Sequence, residues 1–227
     1  MWKQKWKDAL FLHWPVQAEK VQKWLPSGVE VERWQGRAWV SGVVFRLKVR
    51  HKWLPYLPGC AEMVEVNLRT YVRCGEVTGI WFLSVHADNP WAMWWARRLT
   101  PMPYRRAKLN YQQVDGKFQG VLQSWPHGEP RLEFCFAKPD EVAAASDSLD
   151  VWLVERYRLF IEQRGQLMQA DVAHPVWQLA EVSPNMGWNQ LGEPFGLDLA
   201  DRPAKCHYSP GLQADFGRFV PSFHAVD

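Results

Sequence analysis

The chain has 227 residues, of which 47% are hydrophobic and 22% are charged, and its net charge is +3. We expect one domain over residues 1–227, with a sizeable core. The small charge argues against a polyanionic partner, and no apolar run approaches the roughly 20 residues of a membrane-spanning helix. With no signal-peptide pattern, Cys60, Cys74, Cys135 and Cys206 predict reduced thiols in a cytoplasmic protein.

The N-terminal segment repeats large apolar side chains every four residues, at Trp2, Trp6, Leu10 and Trp14, with lysines elsewhere. This spacing fits an interfacial helix or a terminal segment packed on its own domain. We favour the second interpretation and expect no membrane partner. A short helix is expected next, over residues 16–26, where Pro26 ends it.

Strand patterns dominate the middle of the chain. Three pairs of strands are predicted, with turns at Gln35-Gly36, Gly75-Glu76 and Asp115-Gly116. Further strands are predicted over residues 130–138, 166–173 and 212–220.

Two longer helices are predicted. Residues 89–99 begin with Asn89 as a cap and Pro90 in the first turn. Residues 147–165 place apolar side chains on one helical face between a Ser148 cap and Gly165. Many antiparallel strands with about three helices predict a β-rich α+β domain.

The hairpin around Gly75-Glu76 separates apolar from polar side chains. A two-residue loop would place Asn67 opposite Ser84, and Glu65 opposite His86. The apolar face contains Val66, Leu68, Leu83 and Val85, whereas the other face contains Glu65, Asn67, Arg69, Tyr71, Ser84 and His86. The polar face fits a solvated sheet or the inner wall of a cavity, and the pattern leaves both open.

The polar face would carry chemistry if it lined a cavity. Glu65 beside His86 would form a catalytic acid–base pair, and Arg69 would anchor a carboxylate or an enolate. This hypothesis depends on register, because a slip of one residue moves a side chain to the other face.

Other kinds of site are less supported. Arg97, Arg98, Arg105, Arg106 and Lys108 lie among aromatic residues, but no nucleic-acid-binding motif accompanies them and we expect no nucleic-acid partner. The histidines lie in unrelated segments without metal-ligand spacing, so we expect no metal and no cofactor.

Several motifs resemble a known family. The segments "NLRTYV" from Asn67 and "ARRLTPMPYRRA" from Ala96 are the most specific of a series covering nearly the whole chain. They resemble the DUF2071, or YqjF-like, family of uncharacterised conserved proteins, which looks like a distant branch of the acetoacetate decarboxylase-like superfamily. The resemblance implies an antiparallel barrel-like sheet with a central cavity and about three flanking helices. It favours an inward orientation for Glu65 and Arg69.

The resemblance also exposes a departure at the catalytic position. Glu65 matches a glutamate of the decarboxylases, with Met63 in place of an aromatic residue. Tyr104 and Arg105 stand where the decarboxylases carry two lysines, the first of which forms a Schiff base. Neither a phenol nor a guanidinium can form that imine, so amine-based decarboxylation is not expected.

These observations converge on a small-molecule site. We expect a small anionic ligand in a polar-lined cavity. The predicted residues are Glu65 and His86 for catalysis, and Asn67, Arg69, Ser84, Tyr104 and Arg105 for ligand binding. The helix bearing Trp91, Trp94 and Trp95 is expected to close the cavity or pack nearby. The alternative is a non-catalytic binding or interaction module that uses an exposed aromatic surface.

Overall fold

The computed structural model describes residues 2–51, 62–124, 131–200 and 202–222. The strands are β1 (Trp2–Val16), β2 (Glu30–Val31), β3 (Arg33–Trp34), β4 (Arg37–His51), β5 (Met63–Cys74), β6 (Val77–Ala87), β7 (Tyr104–Val114), β8 (Lys117–Ser124), β9 (Arg131–Ala137), β10 (Ala143–Ala144), β11 (Arg158–Gln163), β12 (Gln166–Ala173), β13 (Gln178–Glu181), β14 (Asn185–Asn189), β15 (Lys205–Phe216) and β16 (Val220–Pro221). The α-helices are α1 (Ala18–Gln22), α2 (Pro90–Leu99) and α3 (Ser148–Val154), and Glu193–Phe195 forms a 3₁₀ turn.

Seven strands pair in a closed ring. Its order is β1, β4, β5, β6, β11, β12 and β15, and β15 pairs with β1 again. All pairs in this ring are antiparallel except β6–β11. A second sheet leaves the ring at β6 through the parallel pair β6–β7 and continues through β8, β9 and β14. The predicted β-rich α+β architecture, with its ring-like sheet and flanking helices, is confirmed.

The predicted hairpin turns are confirmed. Gln35 and Gly36 have φ angles of 47° and 83°, and Asp115 and Gly116 have φ angles of 48° and 74°. Two successive positive φ values are typical of a type I′ turn, whose twist matches that of the flanking strands. Val77 directly pairs with Cys74, so the predicted tip at Gly75-Glu76 is also observed.

The N-terminal segment packs on its own domain, as we favoured, and one predicted helix is shorter than expected. The N-terminal segment forms β1, which packs into the domain between β4 and β15 rather than lying on a membrane as a helix. The helix predicted over residues 147–165 ends at Val154, and Arg158–Gln163 pairs with β12. The cap of α3 is Asp147 and not Ser148, because the Asp147 side chain accepts the hydrogen bonds from Leu149 N and Asp150 N.

The ring separates two hydrophobic clusters. Along β1, Leu10 and Leu12 join an outer cluster, which the second sheet covers with side chains such as Phe118 and Phe134. Phe11, between them in the sequence, joins an inner cluster. This alternation follows from the two-residue period of a strand. The inner cluster surrounds the cavity described below.

Gly79 permits the close approach of β11 that closes the ring. A Cβ atom at Gly79 would lie 2.8 Å from the carbonyl oxygen of Arg158 and 2.8 Å from the Phe160 ring. Any larger residue would therefore push β11 away from β6.

Cys135 and Cys206 are free thiols, as predicted, whereas Cys74 is buried and Cys60 lies outside the described residues. No helix in the described ranges is long and apolar enough to cross a bilayer.

Candidate functional site

A cavity of about 140 Å³ lies inside the strand ring. Most of its lining is apolar and comes from β1, β4, β5, β6 and α2, as in Phe11, Phe45 and Phe82. Four polar side chains from β5 and β7 also line it: Glu65, Asn67, Arg69 and Tyr104. An apolar chamber with a few polar groups is the usual form of a small-molecule site.

Glu65 is the centre of a buried hydrogen-bond cluster. Tyr104 Oη donates to Glu65 Oε2 at 3.0 Å, and Asn67 Nδ2 donates to Glu65 Oε1 at 3.1 Å. The alternation of β5 places Glu65 and Asn67 on one face, and Tyr104 reaches them from the start of β7. The carboxyl group is therefore oriented from both sides.

Burial makes Glu65 protonatable near neutral pH. Glu65 is 4% exposed, and the loss of solvation raises its pKa from 4.5 to about 7. The hydrogen bonds from Asn67 and Tyr104 oppose this shift but do not cancel it. Burial, together with the Glu65 charge, also raises the pKa of Tyr104 well above its ordinary value. Such a carboxyl group can both give and take a proton at physiological pH.

Arg69 brings unused hydrogen-bond donors to the same cavity. Its Nε and Nη2 atoms are buried and have no hydrogen-bond partner among the described residues, and neither has Asn67 Oδ1. The guanidinium lies over the Phe11 ring, with Cζ 5.7 Å from the ring centroid. Buried donors without partners are costly, so a ligand that accepts hydrogen bonds would satisfy them.

The other two cavity arginines are already paired with acids. Arg156 Nη1 lies 2.6 Å from Glu32 Oε2, and Arg158 Nε lies 2.7 Å from Asp171 Oδ1. Arg69 makes no ion pair with any residue in the described ranges. It is therefore the cavity cation most suited to binding an anion.

A β-bulge in β6 contradicts the predicted pairing of Glu65 with His86. The predicted register holds from the turn as far as Arg69 opposite Phe82, but Leu68 then lies opposite Ser84. Leu83 is the extra residue, and beyond it Val66 lies opposite His86 while Glu65 lies opposite Ala87.

The bulge moves the predicted side chains to the other face. His86 and Ser84 are buried opposite Val66 and Leu68, which belong to the outer cluster, and neither lines the cavity. Val85 joins the inner cluster instead of packing with Val66. Burial and the nearby Arg105 lower the pKa of His86 to about 4, so this imidazole is neutral at pH 7.

The residues around α2 agree with the predictions only in part. Arg105 is exposed next to His86 in the β6–β7 pair and does not line the cavity. The helix does cover the cavity, but with Ala92 and Ala96. Trp91 and Trp94 are exposed on its outer side, and the side chain of Trp95 lies outside the described part.

Sequence reasoning missed the aromatic and arginine residues that other strands contribute. Phe11 and Trp177 meet edge to face, with ring centroids 5.0 Å apart, and Trp6 stacks on Trp177 at 5.7 Å. The alternation of Trp2 and Trp6 with lysines was a possible signal for the first half of β1, but the bulge beside Asp8 ends it before Phe11. Arg156 was assigned to a helix that ends before it.

A second buried polar chain lies beside the cavity. Tyr71 Oη donates to the Leu153 carbonyl at 2.9 Å, so the Ser41 hydroxyl donates to Tyr71 and His13 Nδ1 donates to Ser41, each at 2.6 Å. Burial lowers the pKa of His13 well below its ordinary value, so the imidazole is neutral and its proton lies on Nδ1. Tyr71, predicted on the Arg69 face, is therefore held by structural hydrogen bonds. Within the described ranges, no group of three or more histidine, cysteine or acidic side chains could hold a metal ion.

Comparison with solved structures shows the fold. The enduracididine biosynthesis enzyme MppR complexed with pyruvate matches with a TM-score of 0.70 at 13% identity, covering 97% of this chain and 89% of that one. Acetoacetate decarboxylase from Legionella pneumophila matches with a TM-score of 0.67 at 13% identity, covering 97% and 88%. At these identities the likeness establishes the acetoacetate decarboxylase-like fold alone.

Sequence comparison shows the family. The uncharacterized protein YqjF of Bacillus subtilis (strain 168) is 32% identical over 210 residues, which is 91% of this chain and 86% of that protein. The model of DUF2071, described as an uncharacterized conserved protein, matches residues 3–213. The chain therefore belongs to the DUF2071 family, with an acetoacetate decarboxylase-like fold.

Proposed function

We propose that the protein binds a small organic acid in the ring cavity, with the ligand carboxylate on Arg69 and the ligand body against the apolar walls. The observation that carries this proposal is the pair of buried Arg69 nitrogens, Nε and Nη2, that have no partner among the described residues. Two parallel N–H donors on a planar guanidinium match the two oxygens of a carboxylate.

The size and polarity of the cavity define the ligand further. A cavity of about 140 Å³ has room for a group on the order of a benzene ring. Glu65 and Arg69 lie four positions apart along β5, or about 13 Å of strand, so the two side chains meet different ends of the ligand. The ligand class is therefore a monocarboxylic acid with a short apolar body.

Glu65 supplies acid–base chemistry in this proposal. Its carboxylate would take a proton from the carbon next to a ligand carbonyl, giving an enolate, would exchange that proton with solvent, and would deliver a solvent proton to the same carbon. A pKa of about 7 provides both protonation states near neutral pH. Because MppR, which shares this fold, forms a complex with pyruvate, a 2-oxo acid is a reasonable first substrate to test.

The binding step is tested with hexanoate, with hexanamide as the uncharged control. Calorimetry should detect hexanoate binding, and Arg69→Gln should weaken it by about 1.5–3 kcal/mol, the usual value of a hydrogen bond to a charged group. Arg105→Gln is the matched control, because Arg105 is exposed outside the cavity, and its affinity should equal that of the wild type. Equal affinities for hexanoate and hexanamide, or for Arg69→Gln and the wild type, would refute the proposed anchor.

The catalytic step is tested by exchange of the pyruvate methyl protons in deuterated buffer, followed by NMR. The wild type should accelerate this exchange, whereas Glu65→Gln should lose it and still bind hexanoate. Binding without any exchange in the wild type would support the alternative of a non-catalytic module. The observation in favour of that alternative is that His86, the predicted partner of Glu65, lies on the other face of the hairpin.

A further inference from the structure

The outer side of α2 is exposed, aromatic and basic. Trp91 and Trp94 lie three residues apart, so they share one side of the helix, and they are 67% and 48% exposed. Arg97 and Arg98 follow in the last turn and are also exposed. The opposite side is already used, because Met93 is buried and Ala92 and Ala96 line the cavity.

The positive charge on this side is concentrated in one segment. Residues 89–114 carry five basic side chains and no Asp or Glu, although the whole chain has a net charge of only +3. All five basic residues, Arg97, Arg98, Arg105, Arg106 and Lys108, are exposed. The rest of the chain therefore has a net formal charge of about −2, and α2 with the start of β7 forms a basic surface patch.

A groove runs between α2 and β7 at this patch. It has a volume of about 460 Å³ and is lined by Pro90, Met93, Trp94, Arg97, Arg98 and Arg106. Arg98 lies over the Trp94 ring, with its Cζ 5.1 Å from the ring centroid. Arg97 donates to the Tyr104 carbonyl through Nε at 3.0 Å, which fixes its position at the groove. Among the described residues, the lining contains no acidic side chain, so an anionic group can enter without repulsion from a carboxylate there.

We propose that this face, defined by Trp91, Trp94, Arg97, Arg98 and Arg106, docks on the surface of an anionic phospholipid bilayer. Tryptophan side chains favour the headgroup region, where the ring is partly buried and the indole N–H remains hydrated. Arginine side chains beside them are attracted to anionic headgroups. A nucleic acid would also attract the charges, but the two tryptophans are exposed on the outer side of the helix, as insertion into a bilayer requires.

The docking itself does not depend on the function of the cavity. It has a consequence that rests on the proposed function: α2 would lie between the bilayer and a cavity for acids with an apolar body. Ala92 and Ala96 would face the ligand while Trp91 and Trp94 face the lipid. Such acids partition into membranes through their apolar part.

The test is co-sedimentation of the full chain with sucrose-loaded vesicles. Vesicles of phosphatidylcholine with about 30% phosphatidylserine should pellet the wild type at about 0.1 M salt, and pure phosphatidylcholine should pellet much less. Arg97→Gln combined with Arg98→Gln should lower the partition coefficient by roughly thirtyfold, because each basic group at an anionic surface contributes about a factor of five. Trp91→Ala combined with Trp94→Ala should lower it by at least tenfold, because the lost side chains are those that insert.

Matched controls separate docking from general charge and from misfolding. Lys117→Gln combined with Lys138→Gln removes two exposed charges from the β7–β8 turn region and should lower binding much less than the arginine change. Trp188→Ala removes a tryptophan that is 51% exposed on β14 and should bind like the wild type. Thermal unfolding of every variant confirms that it is folded before its binding is compared.

Several results would overturn the proposal. These are the absence of pelleting with phosphatidylserine vesicles, equal losses in the α2 and control variants, or pelleting that the α2 changes leave untouched. Binding of a single-stranded RNA, or of inorganic phosphate, without vesicle binding would assign the groove to a soluble anion instead. The co-sedimentation assay contains no cavity ligand, so its result does not depend on whether the proposed function is correct.

Discussion

At the residue scale, Glu65 combines high burial with an ionisable group. A buried carboxylate without a cationic partner is unfavourable, so the folded chain holds Glu65 partly protonated near pH 7. Tyr104 and Asn67 orient the group without supplying the positive charge that would restore an ordinary pKa. A group kept in this state at some cost to stability is typical of a functional site.

The first prediction concerns the pH dependence of stability. Because folding raises the Glu65 pKa from 4.5 to about 7, the protonated form is favoured in the fold. Its contribution to stability is fully present below about pH 4.5 and is lost as the pH rises to about 7. Glu65→Gln should therefore be more stable than the wild type at pH 8, by up to about 3 kcal/mol, and should lose this advantage towards pH 4.5.

Urea denaturation at about pH 5 and pH 8 measures this difference. Subtracting the wild-type value at each pH removes the contribution of other titrating groups. Asn67→Asp serves as the contrasting variant, because a second carboxyl group beside Glu65 should make the loss of stability with pH steeper. A pH-independent difference between Glu65→Gln and the wild type would show that Glu65 titrates normally.

The second prediction concerns covalent chemistry. Borohydride reduction in the presence of acetoacetate should give no adduct, because imine formation needs a primary amine in the cavity. The cavity lining within the described residues contains no lysine, and Lys108 is exposed on β7. Intact-mass spectrometry is the measurement, with an authentic acetoacetate decarboxylase treated in parallel. A mass increase that peptide mapping locates on Lys108 would restore the amine mechanism.

The sequence predicted part of this site because alternation is a local property. Glu65, Asn67 and Arg69 occur at every second position, so their common face followed from the strand itself. Tyr104 came from the family motif. The bulge at Leu83 was not predictable from local signals, since no glycine or proline marks it, and one extra residue was enough to move Ser84 and His86 to the outer face.

At the scale of elements, the hairpin turns and the cap of α2 were the reliable signals. Asn89-Pro90 predicted the start of α2, and Asp115-Gly116 predicted the β7–β8 turn. The misassigned segment is β11, whose apolar spacing fits both the helical and the strand period. Leu149, Trp152 and Leu153 continue as a helical pattern through Phe160, but pairing with β12 and β6 makes β11 a strand. Tertiary pairing overrode local periodicity there.

The third prediction concerns the stability of α2. Asn89 Oδ1 accepts hydrogen bonds from Trp91 N at 3.0 Å and from Ala92 N at 3.1 Å. Asn89→Ala removes this cap and should destabilise the helix by about 1 kcal/mol. Hydrogen exchange followed by mass spectrometry should then show about fivefold faster exchange in peptides covering residues 91–98, with little change in β8 and β9.

Asn89→Asp is the matched control for the cap. An aspartate keeps the acceptor oxygen and places a negative charge at the helix N-terminus, so its exchange should be as slow as in the wild type or slower. Equal exchange in Asn89→Ala and Asn89→Asp would mean that packing of Met93, and not the cap, holds α2 over the cavity.

At the scale of the whole molecule, the closed ring creates both the cavity and its separation from the outer cluster. The strand patterns predicted a β-rich domain, but the order of strands in the ring came only with the structure. The parallel β6–β11 pair joins Ile80 to Leu159. Local turn signals carry no information about a contact so distant in the sequence, and the family resemblance alone implied a ring-like sheet.

The last prediction follows from strands that are shared by both clusters. Phe11 and Leu12 are neighbours on β1, are 1% and 0% exposed, and belong to the inner and outer clusters. Phe11→Ala and Leu12→Ala should each lower the free energy of unfolding by about 2–5 kcal/mol, because each leaves a void in a packed core. Both should unfold in one transition, since neither cluster can lose its strands without opening the other.

Only Phe11→Ala should change hexanoate affinity, because Phe11 lines the cavity and supports the Arg69 guanidinium. Circular dichroism and tryptophan fluorescence across a urea titration, with calorimetric titration of hexanoate, measure both quantities. Separate transitions in the two signals would show independent clusters, and an equal change of affinity in both variants would show that the ring does not isolate the cavity.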